Sequence, residues 1–587
     1  MKKIIFILIL PFAFFHFVYG QVETKFYPDK DALQQNRYIR NHKKSTKVKK
    51  MLSFDVQKMM DEDRQNENLD IPFRFGKGFD VNITLSDGEW TTVENGRLWL
   101  MEFQSEGAYS INFVFENLYL PDSAELYIVN SEGTMLYGPV TSKQNTKNGF
   151  FLTDLIQGDK ATIYLYEPTN KKEQSQLIVK RVVHAYKNLF STMAYGNLGG
   201  SEACNNDVVC FPTWDLESDA VALILLSNGD ELCSGSLLMT ANQNFRSYFL
   251  SAFHCVDTYA DGTLSAEEIT NAENWMFKFQ YKMISCGGNT ETTSITYNGA
   301  NFRAAWNTTD FALMELNNSP VGDERFSWLG WDRSGNTPTS GTGIHHPSGD
   351  VMKISFDNDA LTETFNGSTI GGTSHWFVGV DNGTLEHGSS GSPLFNESKR
   401  VIGQLHSGYP GCSSSKQFWY GCFYRSWTGG GTNTTRLSNW LDPTGIGVMT
   451  TNTSRTPFIS GPSLICTTGT YTINNFPEGA TVNWRTSLQL SIISGQGTSE
   501  IVVSKISSIF TASVYADITI NGNTFTVTKS GIQMGTKAPS IVVYNAGGSA
   551  MVDPPYYTGV NYRITAHGSG LASKPSSYFA WEVEISP

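Results

Sequence analysis

All eight cysteines of this 587-residue chain fall between Cys204 and Cys466, and the long stretch before them carries none. That distribution marks out a middle region built around disulfides, flanked by parts that must hold together without them. An even count reads as bridges provided the chain is exported, and its start supplies that condition. Lys2 and Lys3 precede an apolar run from Ile4 to Phe17, and Val18-Tyr19-Gly20 places small residues where signal peptidase cuts. Residues 1–20 therefore read as a signal peptide and the product as secreted, to the medium or the cell surface. No later apolar run is long enough for a transmembrane anchor. A metal cluster would need paired CxxC ligands or a His spaced to them, and HExxH is absent too, so no metal or cofactor is expected.

The length exceeds what a single core serves. With 54 glycines, 13% aromatic and 17% charged residues, the chain reads as several β-rich domains. A net charge of −12 argues against a nucleic-acid partner, and the basic run from Arg37 to Lys50 reads as a solvated part of a pro-region. That pro-region spans 21–198. Inside it, runs such as Leu98-Trp-Leu-Met-Glu-Phe and Tyr109-Ser-Ile-Asn-Phe-Val-Phe predict a small β-sandwich over about 75–170. The cysteine-bearing core covers 199–450. Strand-like pieces around a central Trp484 predict an immunoglobulin-like sandwich over 457–537, and 538–587 reads as a second, small or incomplete β domain.

Three short stretches of the core carry chemistry. Ser251-Ala-Phe-His-Cys255 sets His254 at the end of an apolar stretch. Asp310 opens Phe311-Ala-Leu-Met-Glu-Leu316, and Gly388-Ser-Ser-Gly-Ser-Pro393 is a turn holding three serines. A serine hydroxyl attacks a carbonyl only when an imidazole takes its proton, and a carboxylate must hold that imidazole in the right tautomer. Each piece is commonplace alone. Together, in the order His, Asp, Ser, they predict acyl transfer with His254, Asp310 and Ser390 as catalytic residues.

Longer motifs around these residues point to one family. Glu386-His-Gly-Ser-Ser-Gly-Ser-Pro-Leu-Phe, Arg400-Val-Ile-Gly-Gln-Leu-His406 and Arg436-Leu-Ser-Asn-Trp-Leu-Asp-Pro443 resemble bacterial lysyl endopeptidase, a secreted trypsin-like serine protease. So do Cys204-Asn-Asn-Asp-Val-Val-Cys210 and Ile344-His-His-Pro347. The resemblance covers about 199–445. It implies an all-β chain with a chymotrypsin-like double β-barrel, here flanked by β-sandwich domains, and protein or peptide substrates. Carried over by position, it implies an oxyanion hole from the Gly388 and Ser390 N–H groups. It also implies disulfides Cys204–Cys412, Cys210–Cys286 and Cys233–Cys255, the last contributing roughly 3 kcal/mol through its loop. Cys422 and Cys466 are left over, and their pairing would staple the core to the following sandwich.

The pattern departs from the family where lysine is recognised. The family places an Asp shortly before a Tyr-Gly pair, whereas no acid lies between Ser398 and Leu441 here. An ammonium group buried without a carboxylate is strongly disfavoured, so strict lysine cleavage is not expected. Substrate-pocket candidates are Glu386, the one nearby acid, His406 in the cleft-lining segment, and Phe418 and Trp419, which suit apolar side chains. Lys416 turned inward would suit acidic ones. The family's Trp near the catalytic His is missing; its position falls near Gly367. The competing reading is a catalytically silent homologue acting as a binding or adhesion module, with the C-terminal sandwich a candidate for surface or glycan contact.

Overall fold

The computed structural model describes residues 21–27, 46–66, 69–190, 200–369, 371–412, 416–507 and 511–534, and the backbone of 540–544, 550–551 and 563–567. The expected signal peptide, the first part of the basic run and the expected cut near Gly199 lie outside the described residues. The chain forms two units, one of the described residues up to Thr456 apart from Val321–Glu324, the other of those four residues and the described residues from Pro457 on.

The first unit begins with a sandwich. One sheet runs Val48–Lys50, Gly96–Gln104, Lys160–Pro168, Glu125–Asn130, Met135–Val140, and the other is led by Ser110–Tyr119, Gln176–Ala185 and Gly76–Thr84. Trp99, Met101, Phe103 and Ile163 pack between them with Phe113, Phe115 and Val182. Leu98, Leu100, Tyr127 and Tyr164 form a second small core on the far face of the first sheet. Both faces of Gly96–Gln104 are thus buried, which is why its sequence is an apolar run instead of an alternation. Gln176–Ala185 carries the sandwich past residue 170. Gln21–Phe26 then bridges regions, pairing with Met135–Val140 on one side and with Ser294–Asn298 on the other.

Two barrel-like sets of strands follow. The first runs Ser294–Asn298, Met276–Phe279, Val221–Leu225, Glu231–Leu238, Tyr248–Ala252, Phe311–Leu316, Ala300–Trp306. Its two ends are consecutive in the chain, joined at Gly299, whose φ of +79° lets the strand bend so that one stretch serves both edges. The second runs Lys353–Asp357, Gly341–His345, Pro393–Phe395, Val401–Gly408, Gln417–Cys422, His375–Gly379. Its ends meet where Phe356 N donates to Asn382 O at 2.8 Å and Asp381 N donates to Phe356 O at 2.9 Å. The all-β class expected from the sequence is what the chain forms, as several sheets.

Cys204–Cys412, Cys210–Cys286 and Cys233–Cys255 are bridged. The expected Cys422–Cys466 bridge is not: both are free thiols. Cys422 lies fully buried in the core of the second barrel with Trp376, Leu405 and Tyr420, and burial pushes its thiol well up, away from the reactive thiolate.

In the second unit, Phe458–Ser460, Thr468–Asn474, Glu500–Lys505 and Leu490–Ser494 form one sheet, and Leu464–Ile465, Asn523–Met534, Thr511–Ile520 and Thr481–Thr486 the other. Every second residue of Thr511–Ile520 is buried, as one wetted face requires. Trp484 sits in this core, its Nε1 donating to Thr498 O at 2.7 Å. Beyond it, Ser540–Tyr544 pairs with Ala550–Met551 and Arg563–His567. No helix among the described residues is long and apolar enough to cross a membrane.

Candidate active site

Antiparallel pairing sets the first two groups together. Tyr248–Ala252 pairs with Phe311–Leu316, Ala252 opposite Phe311, so His254, just after one strand, meets Asp310, just before the other. Asp310 holds φ +54°, a left-handed conformation that Asp and Asn tolerate best among residues with a side chain beyond Cβ. Its Oδ1 accepts the His254 backbone N–H at 2.9 Å, and its Oδ2 lies 2.9 Å from His254 Nδ1. The Cys233–Cys255 bridge anchors this loop to the neighbouring strand. From the second barrel, Gln404 Nε2 donates to Thr309 O at 2.6 Å and Ser426 Oγ to Thr309 Oγ1 at 2.9 Å, fixing the residue before Asp310. Burial pushes the Asp310 carboxyl up, but the charges of His254 and His406 and the two hydrogen bonds from His254 outweigh it and hold the group below the usual range. It is a carboxylate.

Ser390 sits on a turn tied to both barrels. Ser234 of the first donates through N to Ser390 O and through Oγ to Gly388 O, each at 2.8 Å; Leu405 of the second accepts from Gly391 N at 2.8 Å. Gly388 and Gly391 have φ of +90° and +82°, and a Cβ on Gly391 would strike Ser251 Oγ and Ser234 O. The N–H groups of Ser389 and Gly391 donate within the fold, whereas those of Gly388 and Ser390 have no acceptor there. No hydrogen bond joins the Ser390 hydroxyl to His254 in this structure. Ser389, by contrast, is fully buried, with its Oγ 2.8 Å from His345 Nδ1.

Residues 198–422 match the family model described as lysyl endopeptidase, C-terminal domain, and residues 452–528 match the PKD-like domain. A lysyl endopeptidase of Pseudomonas aeruginosa is 27% identical over 364 residues, 58% of this chain and 75% of that protein. Residues 198–422 are lysyl endopeptidase-like. Among solved structures, the crystal structure of Deg5 is 13% identical and covers 36% of this chain and 86% of its own, at a TM-score of 0.23, too low to bear on the fold.

In this lysyl endopeptidase-like region the pocket candidates fare differently. Glu386 does not face a pocket. Its Oε1 accepts from Glu202 N at 2.8 Å and Asn205 Nδ2 at 2.5 Å, and its Oε2 from Ser348 Oγ at 2.7 Å. Burial pushes its carboxyl up, and these donors only partly offset the push. It clamps the segment around Glu202 and has no free oxygen for a substrate ammonium. Phe418 and Trp419 are each 2% exposed and offer no open apolar surface. They alternate on one strand: Phe418 enters the barrel core and touches Gly408, while Trp419 faces Phe377 and Tyr409 with its Nε1 on Ser368 O at 2.6 Å. Lys416 Nζ caps Gly383 O at 2.7 Å instead of turning inward.

His406 alone of the four lies at the reacting groups. Its ring stacks on His254 with centroids 5.7 Å apart, and its Nδ1 is 2.9 Å from Nε2 of His375, a residue no motif had singled out. His375 Nδ1 reaches Ser374 Oγ at 2.8 Å, and His406 Nε2 reaches Asp70 Oδ2 at 3.4 Å. Burial pushes His375 down to about 3, so it is neutral. Burial lowers His406 as well, but Asp310 and Asp70 outweigh that and raise it. His406 is thus flanked by His375 on its Nδ1 side and by the Asp70 carboxyl on its Nε2 side. The signal for His375 lay in strand pairing: His375–Gly379 abuts Gln417–Cys422, which abuts Val401–Gly408.

Proposed function

We propose that the chain is a secreted serine endopeptidase, made as a precursor, that hydrolyses peptide bonds through an acyl-enzyme on Ser390. The observation that carries this is the His254–Asp310 pair beside a turn with two unused N–H groups. His254 Nε2 takes the Ser390 proton as Oγ attacks the substrate carbonyl, and Asp310 stabilises the resulting imidazolium. The Gly388 and Ser390 N–H groups receive the oxyanion, each such donor contributing about 3 to 4 kcal/mol. His254 then protonates the leaving amine, and water hydrolyses the ester by the same route. Covalent labelling of Ser390 by a fluorophosphonate tests the reading; an unlabelled, folded protein would reject it in favour of the silent-homologue alternative. The relative's name speaks of lysine, but the described cleft of this chain offers no free acid for it, and a peptide-library profile is expected to lack strict lysine preference.

Maturation follows from Ser389. In trypsin-like zymogens a new N-terminal amine pairs with an Asp just before the nucleophile. Here that place holds a serine bonded to His345, whose imidazole burial pushes down to about 3. A buried ammonium there would have no partner. The segment after the expected cut is already docked through Ser201 on Asp350, Glu202 on Glu386 and the Cys204–Cys412 bridge. N-terminal sequencing of active protein should therefore read a start near Gly199, and chains beginning a few residues to either side should be equally active. Sharp dependence on one terminal residue would contradict this.

A further inference from the structure

Asp70 reaches His406 beside the catalytic candidates, Ile71 N turns back to donate to Leu69 O at 2.9 Å, and Phe73–Arg74 continue as a two-residue strand. Phe73–Arg74 pairs antiparallel with the start of Glu231–Leu238, Phe73 opposite Leu232 and Arg74 opposite Glu231. The same strand reaches Ser234, whose N–H holds Ser390 O. Extending that register by two residues sets Ile71 level with Ser234, beside the nucleophile's turn. One residue earlier, Asp70 meets His406, which stacks on His254. This strap is clamped downstream: Phe75 N donates to Asp230 O at 2.9 Å, and Arg74 is held by Asp63 of the helix Val56–Gln65 at 2.7 Å. Burial pushes the Asp70 carboxyl up, but His406 and, more weakly, His254 and His375 prevail and keep it ionised.

We propose that Asp70-Ile-Pro-Phe73 lies in the active-site groove as a bound substrate that cannot be cut, and that His406, backed by His375, is a subsite for an acidic side chain one residue before the scissile position. This rests on the serine-peptidase reading above. In this register Ile71 supplies the carbonyl and Pro72, which is buried, the leaving nitrogen. A proline nitrogen carries a ring carbon where other residues carry hydrogen and fixes φ near −65°, which crowds the imidazole that must protonate it. The strap therefore blocks the site while resisting it. Its acid also reports what the groove accepts: Asp70 occupies His406 Nε2 as a substrate Asp or Glu would, while His375 Nε2 holds the other ring nitrogen at 2.9 Å.

Three measurements on the full secreted chain test this. In the uncut precursor, Asp70→Asn should raise the rate of fluorophosphonate labelling at Ser390 at least tenfold, and Asp70→Glu should stay near wild type. Pro72→Ala should turn the strap into a substrate: water adds across the Ile71 carbonyl–nitrogen bond, and N-terminal sequencing reads a new terminus at position 72, absent when Ser390→Ala is combined with it. In a peptide library, the processed wild type should enrich Asp and Glu immediately before the cleaved residue. His406→Gln should remove that enrichment through KM for acidic peptides with a smaller effect on kcat for neutral ones. Unchanged labelling in Asp70→Asn, an intact strap in Pro72→Ala, or no acidic enrichment would each overturn the proposal, provided the wild type labels at Ser390. If the wild type does not label, it is the peptidase reading that fails.

Discussion

Ser390→Ala should abolish peptidase activity, a fall of about 10⁶ in kcat on the scale of other serine nucleophiles, while secretion and thermal unfolding stay near wild type. The asymmetry between the two adjacent serines makes this sharp. The Ser390 hydroxyl is half-buried and bonded to nothing in the fold, so its loss leaves no orphaned partner. Ser389 is fully buried, with its Oγ on His345 Nδ1 at 2.8 Å and accepting Glu386 N at 3.3 Å. Ser389→Ala leaves His345 Nδ1 and Glu386 N without this hydroxyl and is expected to cost about 1 to 3 kcal/mol of stability. Steady-state kinetics on a peptide substrate beside melting curves separate the two effects. Full activity in Ser390→Ala, with Ser389→Ala dead and still folded, would show the nucleophile to be the other serine.

What could be read in the chain beforehand was what lies close in sequence. The Gly388–Pro393 turn declares itself because positive φ at Gly388 and Gly391 demands glycine. The strands declare themselves because burial leaves an apolar pattern, alternating in Thr511–Ile520 and continuous in Leu98–Phe103. Contacts that depend on which distant strands become neighbours left no such trace. His375 and His406 meet only because three strands of the second barrel adjoin in the order they do, and Asp70 reaches them from a strap far away in sequence. Glu386 misled for a related reason. An acid beside an active-site turn looks like a specificity residue until its oxygens are seen to be taken by Glu202, Asn205 and Ser348. Cys422 misled because a cysteine count says nothing of depth, and this thiol faces the inside of a barrel.

The second large effect concerns Asp310, where Asn should cut kcat/KM by about 10⁴ with little change in folding. Asn tolerates the left-handed φ of +54° here, so the backbone need not move. The loss arises from which end of the amide faces the ring. The carboxylate accepts twice, from His254 N and from His254 Nδ1, each at 2.9 Å. A backbone N–H can only donate, so it claims the single carbonyl oxygen of the substituted amide and leaves the NH₂ group pointing at Nδ1. Nδ1 must then accept, the ring proton moves to Nε2, and the nitrogen that should take the Ser390 proton is already occupied. Flipping the amide would set two donors against each other in a fully buried site, which costs more than the wrong tautomer. The loss should therefore shrink at high pH, as hydroxide substitutes for the missing base, and burst kinetics should place it on acylation. An Asp310→Asn enzyme as fast as wild type at neutral pH would mean that another carboxylate orients His254, with the buried Asp257 the next to test.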